Sequence, residues 1–285
     1  MVKRTFMGAA AALLCFAGTA AASPLVLPSS TPIYIKFDNV EQIVLQNAPG
    51  GQLDVPGTYA GLTDNWGIFS VTSIDLGIPA PPNIDIEATG APTEIFNGSQ
   101  GAIYGIFYDI ILNDADRTKA VGGVLDLFWS DNPSAVTLGT ALPDINAVNA
   151  FTSGTFLARL RFTPGIVSPT GDCTTTIKST TDPTTVGGSG NADSFADVDL
   201  SVVGAWTAVL DGNWFADGCG ANSDVRFSTF FNATQTSWNG ANALGLRSND
   251  PARSFTAAEV PEPGTLALLG LGLVGVAYRL RRKAA

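Results

Sequence analysis

Histidine is absent from the 285 residues. That removes Ser-His-Asp and Cys-His nucleophile systems, histidine metal sites and the commonest general base, and with them most hydrolase designs. Cysteine is scarce: of three, Cys15 lies in a segment expected to be cleaved off, which leaves Cys173 and Cys219. Two thiols without histidine cannot supply the four ligands a structural zinc normally takes. In an oxidising compartment they most simply form one disulfide, closing a loop of about 47 residues and contributing roughly 3–4 kcal/mol through the unfolded state; two free or metal-bound thiols are the alternative. Cations are also few, 15 Lys and Arg against 25 Asp and Glu, and six of them sit at the chain ends. With both ends removed, nine cations face nearly all 25 acids, a net charge of about −16. Such a surface repels nucleic acid and anionic lipid, so no nucleic-acid partner is expected. No repeat of fixed period is present, and no body segment of a dozen residues carries convincing helical periodicity.

The N-terminus has Lys3 and Arg4, an apolar run over 6–18, and small residues before Ser23. This is the layout of a secretory signal peptide over 1–22. The basic start stays in the cytoplasm, the short apolar helix enters the translocon, and Ala20 and Ala22 fit the peptidase pocket, with cleavage before Ser23.

The C-terminal segment 259–285 carries the same parts in another order: Val260, Pro261, Glu262, Pro263 and Gly264, an uncharged run to Tyr278, then Arg279, Arg281, Arg282 and Lys283. The two prolines forbid a helix or a central strand and leave an extended handle. Residues 264–278 span about 22 Å as a helix, a marginal crossing of the bilayer core, and the basic end holds the far side in the cytoplasm. The body then lies on the extracytoplasmic side. Handle, span and basic end together resemble the PEP-CTERM sorting signal of Gram-negative bacteria, a tail also named after an ice-binding protein C-terminus. The resemblance implies transient inner-membrane insertion, recognition by a membrane-embedded exosortase-type peptidase, cleavage near the Pro-Glu-Pro handle and delivery to the cell surface or the exterior. It covers about 25 residues and says nothing of the body; an ordinary membrane anchor is the alternative.

The body, 23–258, holds 14 of the 16 phenylalanines and all five tryptophans. Strand-length apolar runs recur at 33–37, 67–74, 103–112, 124–129, 155–162, 196–203, 207–210 and 225–231, separated by Gly, Pro, Asn and Asp. This spacing predicts an all-β fold, a β-sandwich or jelly-roll-like body. In 156–162, period two puts Arg159 and Arg161 on one face and Phe156, Ala158, Leu160 and Phe162 on the other. A short helix is expected within 141–151, and 168–194 reads as a long surface excursion tied down by Cys173.

Chemistry-bearing clusters are few. Asp193, Asp197 and Asp199, and separately Asn113, Asp114 and Asp116, offer hard oxygens of the kind calcium takes, although neither has the regular spacing of a calcium loop. No other cofactor is implied. Trp129, Trp206, Trp214 and Trp238 are candidates for stacking on sugar rings or for core packing. The resulting expectation is a non-catalytic structural or adhesive protein of the surface or of an exopolysaccharide, biofilm-type matrix, with extracellular polysaccharide as partner. A carbohydrate-binding module, or a carbohydrate-active enzyme using paired carboxylates, is the alternative.

Overall fold

The computed structural model describes residues 24–43, 65–77, 93–136, 138, 145–167, 172–185, 187–237 and 244–256. Twelve strands and almost no helix among these described residues confirm the all-β class. The strands are β1 (Pro32–Ile43), β2 (Asn65–Leu76), β3 (Thr93–Phe96), β4 (Ala102–Leu112), β5 (Lys119–Ser130), β6 (Thr155–Thr163), β7 (Ile177–Ser179), β8 (Ser189–Val198), β9 (Phe215–Ala216), β10 (Asn222–Ser223), β11 (Val225–Ser237) and β12 (Leu244–Phe255).

Where a face-to-face sandwich or jelly roll was expected, the main sheet closes on itself. β1 pairs with β12 on one side and with β2 on the other, both antiparallel and both over most of its length. The ring runs β1, β2, β4, β5, β6, β8, β11, β12 and back to β1, with each strand beside its neighbour in the chain. The short strands complete the ring at its ends: β3 extends β4 along β2, and β7 extends β6 between β5 and β8. The result is an eight-stranded up-and-down barrel, an architecture whose interior is filled by side chains or holds one small ligand. Closure also leaves none of the eight strands with an unpaired edge, the feature that invites sheet-to-sheet aggregation.

Interior residues follow the period-two pattern: Ile33, Ile35 and Phe37 from β1, Leu125, Leu127 and Trp129 from β5, and Val225 and Phe227 from β11 belong to one buried cluster. The phase shifts where the barrel bends. In β4, Ile103 and Phe107 face in, and beyond Asp109, at φ 58°, Ile110 takes over. Opposite, Gly122 has φ 71° and Gly123 φ 108°. A Cβ on Gly122 would stand 2.7 Å from the Asp109 carbonyl oxygen, and one on Gly123 2.3 Å from the Phe162 ring, so this corner needs glycine.

In β6 the expected alternation holds for Ala158, Leu160 and Phe162 against Arg159 and Arg161. Phe156 departs from it. A register shift opposite Leu127/Phe128 turns its ring outward onto Phe128, 5.5 Å away between centroids.

On the outside, Trp66, Ile68, Tyr104, Ile106 and Phe128 are covered by the β5–β6 connection, whose 3-10 helix Ile145–Thr152 brings in Phe151. Tyr104 donates to the Ser153 carbonyl at 2.9 Å. That short helix overlaps the stretch 141–151 where one is expected and ends one residue beyond it. Elsewhere the outer wall carries ion pairs. Arg159 forks onto the fully buried Asp126 at 2.7 Å through both Nε and a terminal nitrogen, the bidentate geometry that favours arginine over lysine.

The run 207–210, read as a strand, is instead one helical turn, α1 (Thr207–Leu210). The Thr207 hydroxyl accepts from Gly204 N at 2.8 Å and donates to Val202 O at 3.2 Å, folding the backbone into a turn.

Candidate functional site

The two ends of the barrel differ. At the end where β1 begins and β5 finishes, Trp206 lies 2% exposed, its indole donating to the Leu25 carbonyl at 2.7 Å. Leu27, Leu210, Phe96 and Trp129 join it in one apolar plug. At the other end, where β1 finishes and β5 begins, the interior is not filled. A cavity of about 110 Å³ lies there, walled by the rings of Phe37, Phe107, Phe162, Phe227 and Phe231. A second space of about 40 Å³ shares Phe37, Phe107, Leu125 and Phe227 with it and continues towards the plug. Polar side chains gather around the larger cavity: Asn39 and Glu41 from β1, Asn65 from β2, Arg117 just before β5, Lys119 at its start, and Thr229 from β11.

Glu41 is the unusual member. It stands on the inward face of β1, two residues beyond Asn39 and two before Ile43. Burial in this apolar wall pushes its carboxyl up to about 8, because an ionised carboxylate loses its hydration there. Two cations line the same cavity, and one of them is paired. Lys119 Nζ is 3.0 Å from Asp172 and 3.9 Å from Asp116, and Arg117 donates to the Thr184 hydroxyl at 3.3 Å. Asp172 in turn is held well below the usual carboxylate range by hydrogen bonds from Lys119 and from the hydroxyls of Thr175 and Thr174.

The loop bearing Asp172 is stapled. Cys173 and Cys219 form the disulfide, with Cα atoms 5.7 Å apart across 46 residues of sequence, joining it to the β9–β10 hairpin. Part of 168–194, expected to be a surface excursion, is therefore barrel wall, since it contains β7 and the start of β8.

The acidic clusters are dispersed by the strands that carry them. Asp193, Asp197 and Asp199 follow one another along β8 and its end. Asp199 is taken by Arg161 at 2.7 Å and by the Ser201 hydroxyl and amide. Asp197 accepts the Asp224 amide at 3.3 Å and is raised by burial. Asn113 caps its own turn through the amides of Ala115 and Asp116. Among the described residues no group of three or more His, Cys, Asp or Glu is placed to hold a metal. Trp129 and Trp206 are buried in the barrel and cannot stack on a sugar; Trp214 is half-buried, and Trp238 lies outside the described residues.

Ala20, Ala22 and Ser23, the handle Val260 to Gly264, and Arg279, Arg281, Arg282 and Lys283 also lie outside the described residues. Among those described, no helix is long and apolar enough to cross a membrane.

Sequence reasoning missed Glu41 and Asn39 because Asp38-Asn39 reads as a turn that ends the strand at Phe37. The available signal was the unbroken alternation Ile33, Ile35, Phe37, Asn39, Glu41, Ile43, which places an acid on an apolar face.

Beyond the end of β12 at Phe255 the chain runs within a few residues into the proline-flanked acidic handle Val260 to Gly264. Residues 259–283 match the family model of the PEP-CTERM protein-sorting motif, so the chain carries that motif and is a substrate for exosortase-type processing during export. No curated protein and no solved structure matches the chain.

Proposed function

We propose that this protein works at the cell surface or in the extracellular polysaccharide matrix as a non-catalytic structural or adhesive component, placed there after cleavage near Pro261-Glu262-Pro263. The observation that carries the reading is the sorting motif at 259–283, beginning just beyond β12, the strand that closes the barrel. Two features support it. A closed, disulfide-stapled ring suits a protein that must persist outside the cell. The acids of the wall are also engaged in building it: Asp126 and Asp199 pair with arginines, Asp75 with Lys36 at 3.0 Å, and Asp224 accepts the amides of Val198 and Asn213.

The test is intact mass and cell fractionation for the native protein and for one with Pro261, Glu262 and Pro263 changed to alanine. The native form is expected trimmed at both ends and extracellular or surface-bound, and the altered form is expected to keep 279–285 and remain in the inner membrane. If both forms retain the basic end in the membrane, the tail is an ordinary anchor and the placement fails. The trimmed protein is further expected to bind the producing cell's polysaccharide without releasing sugar.

A further inference from the structure

We propose that the cavity at the polar end of the barrel is a binding site for a small amphipathic amine, a ligand with an apolar body about the size of one aromatic ring and a single cationic head that pairs with Glu41. The size follows from the volume. About 110 Å³ compares with the roughly 150 Å³ of an apolar cavity known to accept benzene. The apolar body follows from the five phenylalanines of the wall, and the adjoining 40 Å³ space lets it extend towards the plug.

The sign of the head follows from the charges. Glu41, Arg117 and Lys119 are the charged residues lining the cavity among the described residues; its other walls present amides, hydroxyls and hydrocarbon. Lys119 is paired with Asp172 and Asp116; Arg117, which donates to the Thr184 hydroxyl, keeps its charge, but neither cation acts on the Glu41 carboxyl, which is raised by burial. Among the described residues no hydrogen bond or ion pair engages the Glu41 carboxyl, and burial is what raises it. An arriving ammonium supplies the carboxylate with a partner, and the aromatic wall, which includes Phe37 and Phe231, offers cation–π attraction. The chain's net charge of −10 draws cations towards it and repels carboxylates.

The test uses protein recovered from the exporting cells, titrated calorimetrically with 1-hexylammonium, 1-hexanol and hexanoate. Hexylammonium is expected to bind at pH 8.5 at least tenfold more tightly than hexanol, with hexanoate weaker than both. Pairing requires Glu41 to lose its proton, whereas a free amine of this kind stays charged to about pH 10. The affinity for hexylammonium therefore rises by about tenfold per pH unit from 6 towards 8 and levels off above, while that for hexanol stays flat. Glu41→Gln keeps the shape and is expected to reduce hexylammonium to the level of hexanol, leaving hexanol unchanged. Ser194→Leu, which pushes a side chain into the cavity, is expected to abolish both, with circular dichroism confirming that each variant is folded. Absence of binding by all three probes, equal binding of hexylammonium and hexanol, a preference for hexanoate, or a Glu41→Gln variant that binds hexylammonium as before would each overturn the proposal.

Discussion

The plugged end and the polar end of the barrel are built from the same eight strands but held by different forces. At the plugged end, large side chains fill the interior, and the backbone between strands is tied down by contacts such as Trp206 N to Leu157 O at 2.8 Å. Stability there comes from apolar area removed from water and from close packing. At the polar end the interior stays partly empty, and β7, only three residues long, forms part of the wall. What holds it is polar and covalent: the Asp172 network, the Thr176 hydroxyl on the Gly122 carbonyl at 2.7 Å, and the disulfide. One end is closed by the hydrophobic effect and the other is stapled around a space. A barrel that must keep a cavity cannot use packing to rigidify it.

The contrast can be broken most directly by truncation. Trp206→Ala is expected to cost about 4–5 kcal/mol, because a fully surrounded indole leaves a hole that the plug cannot collapse. Phe231→Ala at the polar end is expected to cost about half as much, since its ring already borders empty space and has fewer contacts to lose. Urea unfolding of the two variants checks the ratio, and equal costs would mean that the ends do not differ.

Next in size is the staple. Replacing Cys173 and Cys219 together by serine is expected to cost about 3–4 kcal/mol. Hydrogen exchange should quicken first at the amides of Thr176 and Ser179, which hold the β7 region to Ala120 and Thr118, and last around Trp206. Uniform acceleration over the whole barrel would contradict a polar end that depends on its staple.

The smallest expected effect is the most specific. Glu41 titrates near 8 in the folded protein against about 4.5 as an ordinary glutamate, so between those values the folded state binds a proton that the unfolded state has lost. Stability therefore falls as pH rises through this window and levels off above it, by an amount on the order of 2–3 kcal/mol once partial exposure is allowed for. Glu41→Gln is expected to remove most of that slope and to stabilise the protein at pH 8 while changing little at pH 4.5. A further dependence of the same sign, starting from the ordinary carboxylate range, should persist from Asp197 and Asp224, both raised by burial.

Particular strands show how much could be read in advance. β6 was legible because its arginines alternate with apolar residues, and the pattern failed only at Phe156, where a bulge set by the partner strand turned the ring around. β12 was not legible, because Asn249, Asp250 and Pro251 look like a turn. The strand continues because β1 pairs along its whole length, while its ladder with β11 skips Asp250 and Pro251, where proline offers no amide. Thr207–Leu210 is apolar and β-branched enough for a strand, yet it serves as one side of the plug, and local hydroxyl-to-backbone bonds outweigh the propensity.

The sequence by itself determined the sorting motif, through charge and hydropathy at the tail; the β class, through period-two alternation between turn residues; and the disulfide partners, because Cys173 and Cys219 are the two cysteines of the body. These are local or counting properties, and they need no neighbours to be legible. Ring closure, the inward turn of Glu41 and the cavity beside it were decided only by tertiary structure. Each depends on which strand lies across the barrel, and pairing between distant segments, as of β1 with β12, has no signature within either segment alone.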